Sequence, residues 1–303
     1  MVMVKMPRFS EKKDVVIDEQ SGLMWTKNAN LLDFPMTWEE ALAAVKEINR
    51  SGLYRYQDWK LPNRRELFSL MSHEMINPSL PESHPFANVF NGYYWSASTC
   101  MRRPDQAWYV HLGGARVFKG MKYGSYMVWP VRIAENHGTG RFFQTGQKTC
   151  FDGGGHFMDC HGSGQDGEFQ AGIPHHTPRF IPDGDCVHDN STGLTWVKNA
   201  NIAKNPLDWK SASDLVSHMN MENRYGYNDW RIPGIGELES LIDLEHHTPA
   251  LPAGHCFTDV QNFYWSATTS MYDTAYAWVL YTVDGAVGVG YKELPEFYLW
   301  PVR

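Results

Sequence analysis

Apolar and polar positions along the chain fall into short, well-marked blocks. Thr37, followed three residues later by Glu40, reads as a capping box. Behind it Trp38, Ala41, Leu42, Val45 and Ile48 share one face at a 3.6-residue period, which predicts an amphipathic helix. A strand is expected just before it, around Gly22–Thr26. Pro62 then precedes a shorter helix with Leu67, Leu70 and Met71 turned inward. Beyond Pro85 the period changes to two. Trp108, Val110 and Leu112 alternate with Tyr109 and His111, as a half-buried strand requires. Gly113–Gly114 supplies a hairpin turn. Two helices followed by a compact antiparallel sheet make an α+β domain.

The whole pattern then returns. IDEQSGLMWTKNAN at 17–30 is answered by HDNSTGLTWVKNAN at 188–201, and DWKLPNRREL at 58–67 by DWRIPGIGEL at 229–238. NPSLPESHPF (77–86) meets TPALPAGHCF (248–257), YWSAST (94–99) meets YWSATT (264–269), and VWPVR and LWPVR close both copies. In the second helix of this kind Trp209, Ala212, Val216 and Met219 hold the inner face with Asp208 as N-cap, and Asp284–Gly285 is the second hairpin turn. A unit this long is no solenoid repeat; it is a tandem duplication of a domain. The expected boundaries are 1–135 for the first domain and 183–303 for the second. Between them, 136–182 reads as a linker rich in Gly, His, Asp and Pro, whose few apolar residues show neither period.

Composition narrows the class. Of 303 residues 43% are hydrophobic and 20% charged, with 12 Trp, 15 Tyr and 15 Phe, which excludes a disordered, coiled-coil or collagen-like chain. No apolar run is long enough to span a membrane. The opening MVMVKMPRFSEKKD lacks the apolar core of a secretory signal, so either the chain stays inside or a leader has been removed. The net charge of −7 argues against nucleic-acid binding. It is unevenly spread: residues 1–135 carry 17 basic and 14 acidic groups, whereas 136–303 carry 10 and 20.

Candidate chemistry is sparse. The Trp residues at 25, 38, 59, 95, 108 and 129 recur at 196, 209, 230, 265, 278 and 300, which reads as core anchoring rather than sugar stacking. Asp58/Asp229 and Glu66/Glu237 are the acidic pairs held in a fixed motif. They read as a turn residue and a helix cap (with Asn63 as N-cap in copy one) before they read as acid–base catalysts. His84 and His255 share a Pro-x-x-His-x-Phe context and read as loop residues. His175–His176 and His246–His247 lack the i, i+4 spacing of a helical metal pair. In the linker Cys150, His156, Asp159, Cys160 and His161 lie close together, but C-x9-C-H fits no zinc pattern, so a Cys150–Cys160 disulfide is favoured over a metal. Such a bond implies an oxidising compartment.

The ordered motifs TGL-x-W (Thr192 to Trp196, with Ser21 at the first place in copy one), DW-[KR]-[LI]-P-x-x-x-EL, YWSA-[ST]-T, AW and W-P-V-R resemble the Lcl C-terminal domain family of bacteria. The text TGQKTCFDGGGHFMDCHGSGQDGEFQ resembles a segment that often precedes such domains. The resemblance implies a C-type-lectin-like fold, related to formylglycine-generating enzymes and to the variable proteins of diversity-generating retroelements. It implies a rigid scaffold whose late strands and loops display a ligand-binding face. The cysteine pair of the oxidases has no match here, since Cys100 and Cys256 occupy different places in their repeats.

On that late segment the copies diverge. Copy one offers Arg102 and Arg103 in a loop, then Arg116, Lys119 and Lys122 in and after the hairpin. Copy two offers Tyr272, Asp273, Asp284, Glu293 and Glu296. Tyr109, His111 and Tyr281 are expected to project opposite the core Trp. The expectation is a non-enzymatic, adhesin-like binding protein, whose first copy takes an anionic ligand such as an acidic glycan through Arg. Alternatives are a structural part of a surface or phage-like assembly, or a degenerate enzyme. The partner is a carbohydrate or protein surface, with neither nucleic acid nor membrane insertion. No cofactor is expected, calcium being left open, and the resemblance favours export to the periplasm or cell surface.

Overall fold

A computed structural model describes residues 7–135 and 137–303, so the first six residues of the opening segment and Asn136 lie outside it. The chain divides into two compact units, Met1–Ile173 and Pro174–Arg303. Each is a mixed helix-and-sheet unit on the same plan, an α+β tandem duplication. Among the described residues no helix is long and apolar enough to cross a membrane.

The first unit opens with three short strands, β1 (Phe9–Lys12), β2 (Val15–Asp18) and β3 (Leu23–Thr26). Helices α1 (Trp38–Ser51) and α2 (Arg64–Leu70) follow. Then come β4 (Tyr93–Thr99), β5 (Gln106–His111), β6 (Arg116–Met121) and β7 (Val131–Ile133). One antiparallel sheet runs β1-β2-β3-β7; the late strands pair β4 with β5 and β5 with β6, also antiparallel. The segment after β7 adds the ladder β8 (Cys150–Phe151) and β9 (Phe157–Met158), and the single turn α3 (Asp166–Phe169). Residues through Ile173 belong to this unit, so most of the stretch read as a linker is part of it.

The second unit repeats the plan with β10 (Phe180–Asp183), β11 (Cys186–Asp189), β12 (Thr195–Val197), α4 (Trp209–Met221), α5 (Ile235–Ser240), β13 (Phe263–Thr269), β14 (Tyr276–Tyr281) and β15 (Ala286–Tyr291). A bridge from Trp196 to Val302 stands where β3 meets β7. β10 is the counterpart of β1, so the second copy is already under way at Phe180.

Local chemistry explains these elements. Thr37 and Glu40 close the capping box on α1, and Trp38, Ala41, Leu42, Val45 and Ile48 are all buried. Asn63 and Glu66 close a second box on α2. The glycine of each G-L-x-W motif, Gly22 and Gly193, takes φ near +73° and +75° and donates its N–H to the carbonyl of Asp18 or Asp189 at 2.8 Å. A side chain is strained in that conformation, which fixes Gly there.

Eleven tryptophans are buried, while Trp209 is only half-buried. Four indole N–H groups in each copy bond matching carbonyls. Trp38 and Trp209 reach Ser96 and Ser266, Trp95 and Trp265 reach Met36 and Leu207, Trp59 and Trp230 reach Leu53 and Arg224, and Trp129 and Trp300 reach Thr26 and Val197. These rings are pegs between core and backbone, the bonded indole N–H of each fixing one ring to one carbonyl.

Packing is tight enough to be tested. A Cβ on Gly290 would lie 2.3 Å from Phe297 and 2.8 Å from Trp265, whereas one on Gly236 would meet open space. Gly290→Ala is therefore expected to cost about 1–3 kcal/mol by overpacking. Gly236→Ala, in a helix, is expected to be neutral or stabilising. Denaturant midpoints decide; an unshifted midpoint for Gly290→Ala would refute this packing.

Candidate functional site

The five basic side chains expected on one face of copy one are distributed over several places. Arg102 and Arg103 are exposed in the β4–β5 loop, where Arg103 pairs with Asp105 at 3.1 Å. Arg116 is exposed at the far end, opposite His111 across the hairpin. At about 3.4 Å per residue the length of β5 separates the two ends by roughly 17 Å. Lys119 stands opposite Trp108, on the other face of the sheet, with its ammonium 5.5 Å from that ring and 4.6 Å from Phe118. Lys122 is buried. Its Nζ lies 4.0 Å over the Trp38 ring and donates to the carbonyls of Phe151 and Asp152 at 3.1 and 3.0 Å. Burial brings this lysine down to about 7, against the pull of Asp152, Glu39 and Asp105. A single basic surface is thereby corrected to one loop pair, one isolated Arg116, one sheet-packed lysine and one structural lysine.

What the fold does assemble is a tyrosine cluster. Tyr93 and His111 are register partners, and Trp95 faces Tyr109, so these side chains share one face of the sheet. Tyr126, from the return segment, closes over them. The Tyr93 ring centroid lies 5.0 Å from Tyr109, 4.7 Å from His111 and 5.1 Å from Tyr126, and Tyr109 lies 5.0 Å from Tyr126. Tyr93 is 42% exposed and Phe118, on the same face, also 42%. Burial, then the neighbouring Tyr126 and Tyr93, push the Tyr109 phenol up to about 12. Burial and Arg116 push His111 below its ordinary value. Near neutral pH the face therefore offers phenol hydroxyls, a neutral imidazole and the guanidinium of Arg116, which has no ion-pair partner among the described residues.

Copy two spends the same positions differently. Phe263, Val279 and Phe297 replace the three tyrosines, Tyr281 replaces His111, and Ala286 replaces Arg116. Tyr281 is half-buried, edge-on to Phe263 at 5.4 Å. Asp284, expected at the surface, is buried and accepts from the Ala286 N–H at 3.2 Å, holding its own turn. Tyr272, Asp273, Glu293 and Glu296 are exposed, Glu293 accepting from the Tyr291 hydroxyl at 3.1 Å.

The acid–base candidates go separate ways. Asp58 accepts a bidentate pair from Arg132 at 2.7 and 3.0 Å, and Asp229 accepts from Arg303 at 2.7 Å. Side-chain pairing to the closing W-P-V-R arginine thus replaces the backbone role expected of Asp58. Glu66 is spent on its capping box and on Lys60. His84 stacks on Phe86 and His255 lies tilted against Phe257, and burial lowers both. Among the described residues no group of three or more His, Cys, Asp or Glu side chains comes together as a metal site.

Cys150 and Cys160 are joined by a disulfide. The stapled segment lies on α1, α2 and the end of β4. Gln147 grips the backbone of Thr99 from both sides at 2.8 Å, and Gly153 N–H donates to Glu39 at 2.9 Å. Clefts of 290 and 220 Å3 open between α1 and this segment, lined by Leu42, Lys46 and Gly162 among others, and none of Asp58, Glu66 or His84 lines either.

The model of the Lcl C-terminal domain matches residues 14–132 and again 185–303. The chain belongs to the Lcl C-terminal domain family, in two tandem copies. Among curated proteins none matches it. Both family matches run from the Asp after the first strand to the arginine that pairs with Asp58 or Asp229. The structural repeat of this Lcl C-terminal pair begins earlier. Arg8 and Arg179 make ion pairs with the buried Asp18 and Asp189 at 2.9 and 2.8 Å, Arg8 half-buried and Arg179 buried. The shared tripeptide Pro-Arg-Phe at 7–9 and 178–180 was the available signal for them.

Inside the stapled segment Asp166 is fully enclosed. One oxygen accepts from Ser98 and Thr145, and the other has no hydrogen-bond partner. Burial pushes this carboxyl up to about 6, against the two hydroxyl bonds. Between the unfolded value near 3.8 and about 6 the folded chain holds a proton that the unfolded chain has released. The stabilisation is therefore full below that window and lost as pH rises through it. Asp166→Asn should gain on wild type by on the order of 2 kcal/mol between pH ~4 and ~6.5. Unfolding free energies at both ends would show this, and a pH-independent gap would exclude it.

Proposed function

We propose that this protein is a non-enzymatic binding protein of C-type-lectin-like architecture, whose first copy takes an acidic carbohydrate on the tyrosine face. The observation that carries the reading is the cluster of Tyr93, Tyr109, Tyr126 and His111 beside the unpaired Arg116. Partly exposed rings present flat apolar area with polar tips, the combination that a sugar ring with its hydroxyls can use. An exposed guanidinium adds charge-assisted, bidentate bonds to a carboxylate or sulfate. The apolar substitutions in copy two support a division of labour, with the anionic ligand confined to copy one. The separate employment of Asp58, Glu66 and His84 removes the main support for a hydrolase. The Cys150–Cys160 bond supports an oxidising compartment.

The test is a panel of acidic and neutral glycans presented to the full chain at low and physiological salt. Arg116→Ala and Tyr93→Ala are each expected to weaken binding of an acidic glycan by about tenfold, the loss of one charge-assisted or stacking contact. Arg116→Ala should also flatten the salt dependence. Arg102→Ala with Arg103→Ala should leave affinity within about twofold, because those side chains lie at the other end of β5, roughly 17 Å from the Arg116 end. Loss in the double variant with none in Arg116→Ala would move the site to the β4–β5 loop; silence across the panel would overturn the carbohydrate reading.

A further inference from the structure

The duplication provides an internal comparison. In copy one the shelf formed by the start of α1, the start of α2 and the end of β4 is covered by the stapled segment. Five kinds of contact hold it there. The Gln147 amide bonds the N–H and carbonyl of Thr99, the Asp166 carboxylate receives the Ser98 hydroxyl, and Lys122 donates to two carbonyls of the segment. Arg65 donates to the Gln144 carbonyl at 2.6 Å, and Gly153 donates to Glu39. Ala97, Ser98, Thr99 and Arg65 are accordingly buried.

In copy two the same shelf is open, and much of its equipment is retained. Ala267 and Gly236 are exposed, and Thr268, Thr269 and Trp209 are half-buried. Thr268 Oγ1 accepts from the Ile235 N–H at 3.1 Å, as Ser98 does from Arg64 at 3.0 Å, which leaves its hydroxyl hydrogen to donate. Thr269 pairs with Ala277 as Thr99 pairs with Ala107, so its N–H and carbonyl point off the edge of β13. An edge strand with unpaired backbone groups is a ready acceptor of another chain. Lys292 lies 5.0 Å over Trp209 and turns its donors inward, to Thr269 Oγ1 at 2.9 Å and the Thr274 carbonyl at 3.0 Å.

We propose that this shelf of copy two is a docking site for a segment of a second, different protein with the chemistry of residues 144–171. That means a glycine-rich, cysteine-stapled acidic loop bringing a primary amide to the Thr269 backbone and a carboxylate to the Thr268 hydroxyl. The occupant is a different protein because in another copy of this chain the corresponding loop is already held by its own copy one. The acidic character follows from the known occupant, which carries one basic and four acidic groups over 144–171. This inference is independent of the carbohydrate reading, since it concerns other residues in the other copy.

The probe is a synthetic peptide of residues 144–171 with its disulfide closed, added to the full chain and followed by calorimetry and by tryptophan fluorescence. Saturable one-to-one binding is expected. Gly236→Trp fills open space over the shelf and should abolish binding without shifting the unfolding midpoint. Thr268→Val should weaken binding about tenfold, the loss of a hydrogen bond to a charged group. Gly236→Arg, which restores the counterpart of Arg65, should tighten it. Absence of binding would overturn the proposal. So would binding indifferent to all three substitutions, which would mean exchange onto copy one. Self-association of the full chain that Gly236→Trp removes would overturn the choice of occupant and make it a second copy of this chain.

Discussion

An arginine paired with a buried aspartate ties each copy together. Arg8 reaches both oxygens of Asp18 at 3.1 and 2.9 Å and the Ser69 carbonyl at 2.6 Å; Arg179 does the same to Asp189 and to the Ser240 carbonyl at 2.7 Å. The guanidiniums also sit 5.0 and 4.5 Å over Phe9 and Phe180. One planar cation thereby joins the first hairpin to the end of the second helix, which nothing in the local sequence would bring together. Burial alone would raise the Asp189 carboxyl, yet Arg179 and the surrounding bonds hold it below its ordinary value. The direction matters. The Arg179–Asp189 pair, whose carboxylate is favoured despite desolvation, has the geometry that such burial demands, and removing one partner of a buried pair typically costs about 3–5 kcal/mol.

Around that clamp the core was kept and the surface was spent. The same four indole-to-carbonyl pegs appear in both copies, whereas at the tyrosine face nearly every hydroxyl and charge of copy one is lost in copy two. Covered and open shelves differ in the same way. Trp38 is fully buried under the stapled segment and Lys122, while Trp209, with the same bond to the following strand, remains half-exposed. Duplication supplied two equivalent scaffolds, and a segment folded onto one of them made the copies unequal.

How much of this could be read beforehand depended on whether local pattern or tertiary placement decides. The start and the buried face of helix α1 were legible, because its cap and its apolar stripe are local and agree. The duplication was legible because twelve tryptophans fall in matched sets. The first hairpin was not, since Val15, Val16 and Ile17 are all buried and show no alternation, and its Arg8–Asp18 clamp spans a turn. Nor could charge be placed by counting. Arg116 and Lys119 are three residues apart on one strand, an odd step that puts them on opposite faces. Lys122 lies just past that strand, where burial depends on a segment thirty residues further on. Asp284 reads as surface charge, but a hairpin turn can absorb a carboxylate by bonding it to its own backbone.

The unequal faces also bear on what two copies in one chain can achieve. Avidity requires both sites to engage one ligand, so that the second contact occurs at a high effective concentration. That benefit needs one ligand that can engage both faces at once. Here the first face combines phenols, imidazole and an unpaired guanidinium, while the matching positions in the second are phenyl and aliphatic groups around Tyr281. Val279 and Phe297 are buried in copy two, so the phenol hydroxyls of the first face have no exposed counterpart there. The copies therefore differ in chemistry at matched positions, Val279 and Phe297 having joined the core of copy two, while the Arg–Asp clamp is the same in both.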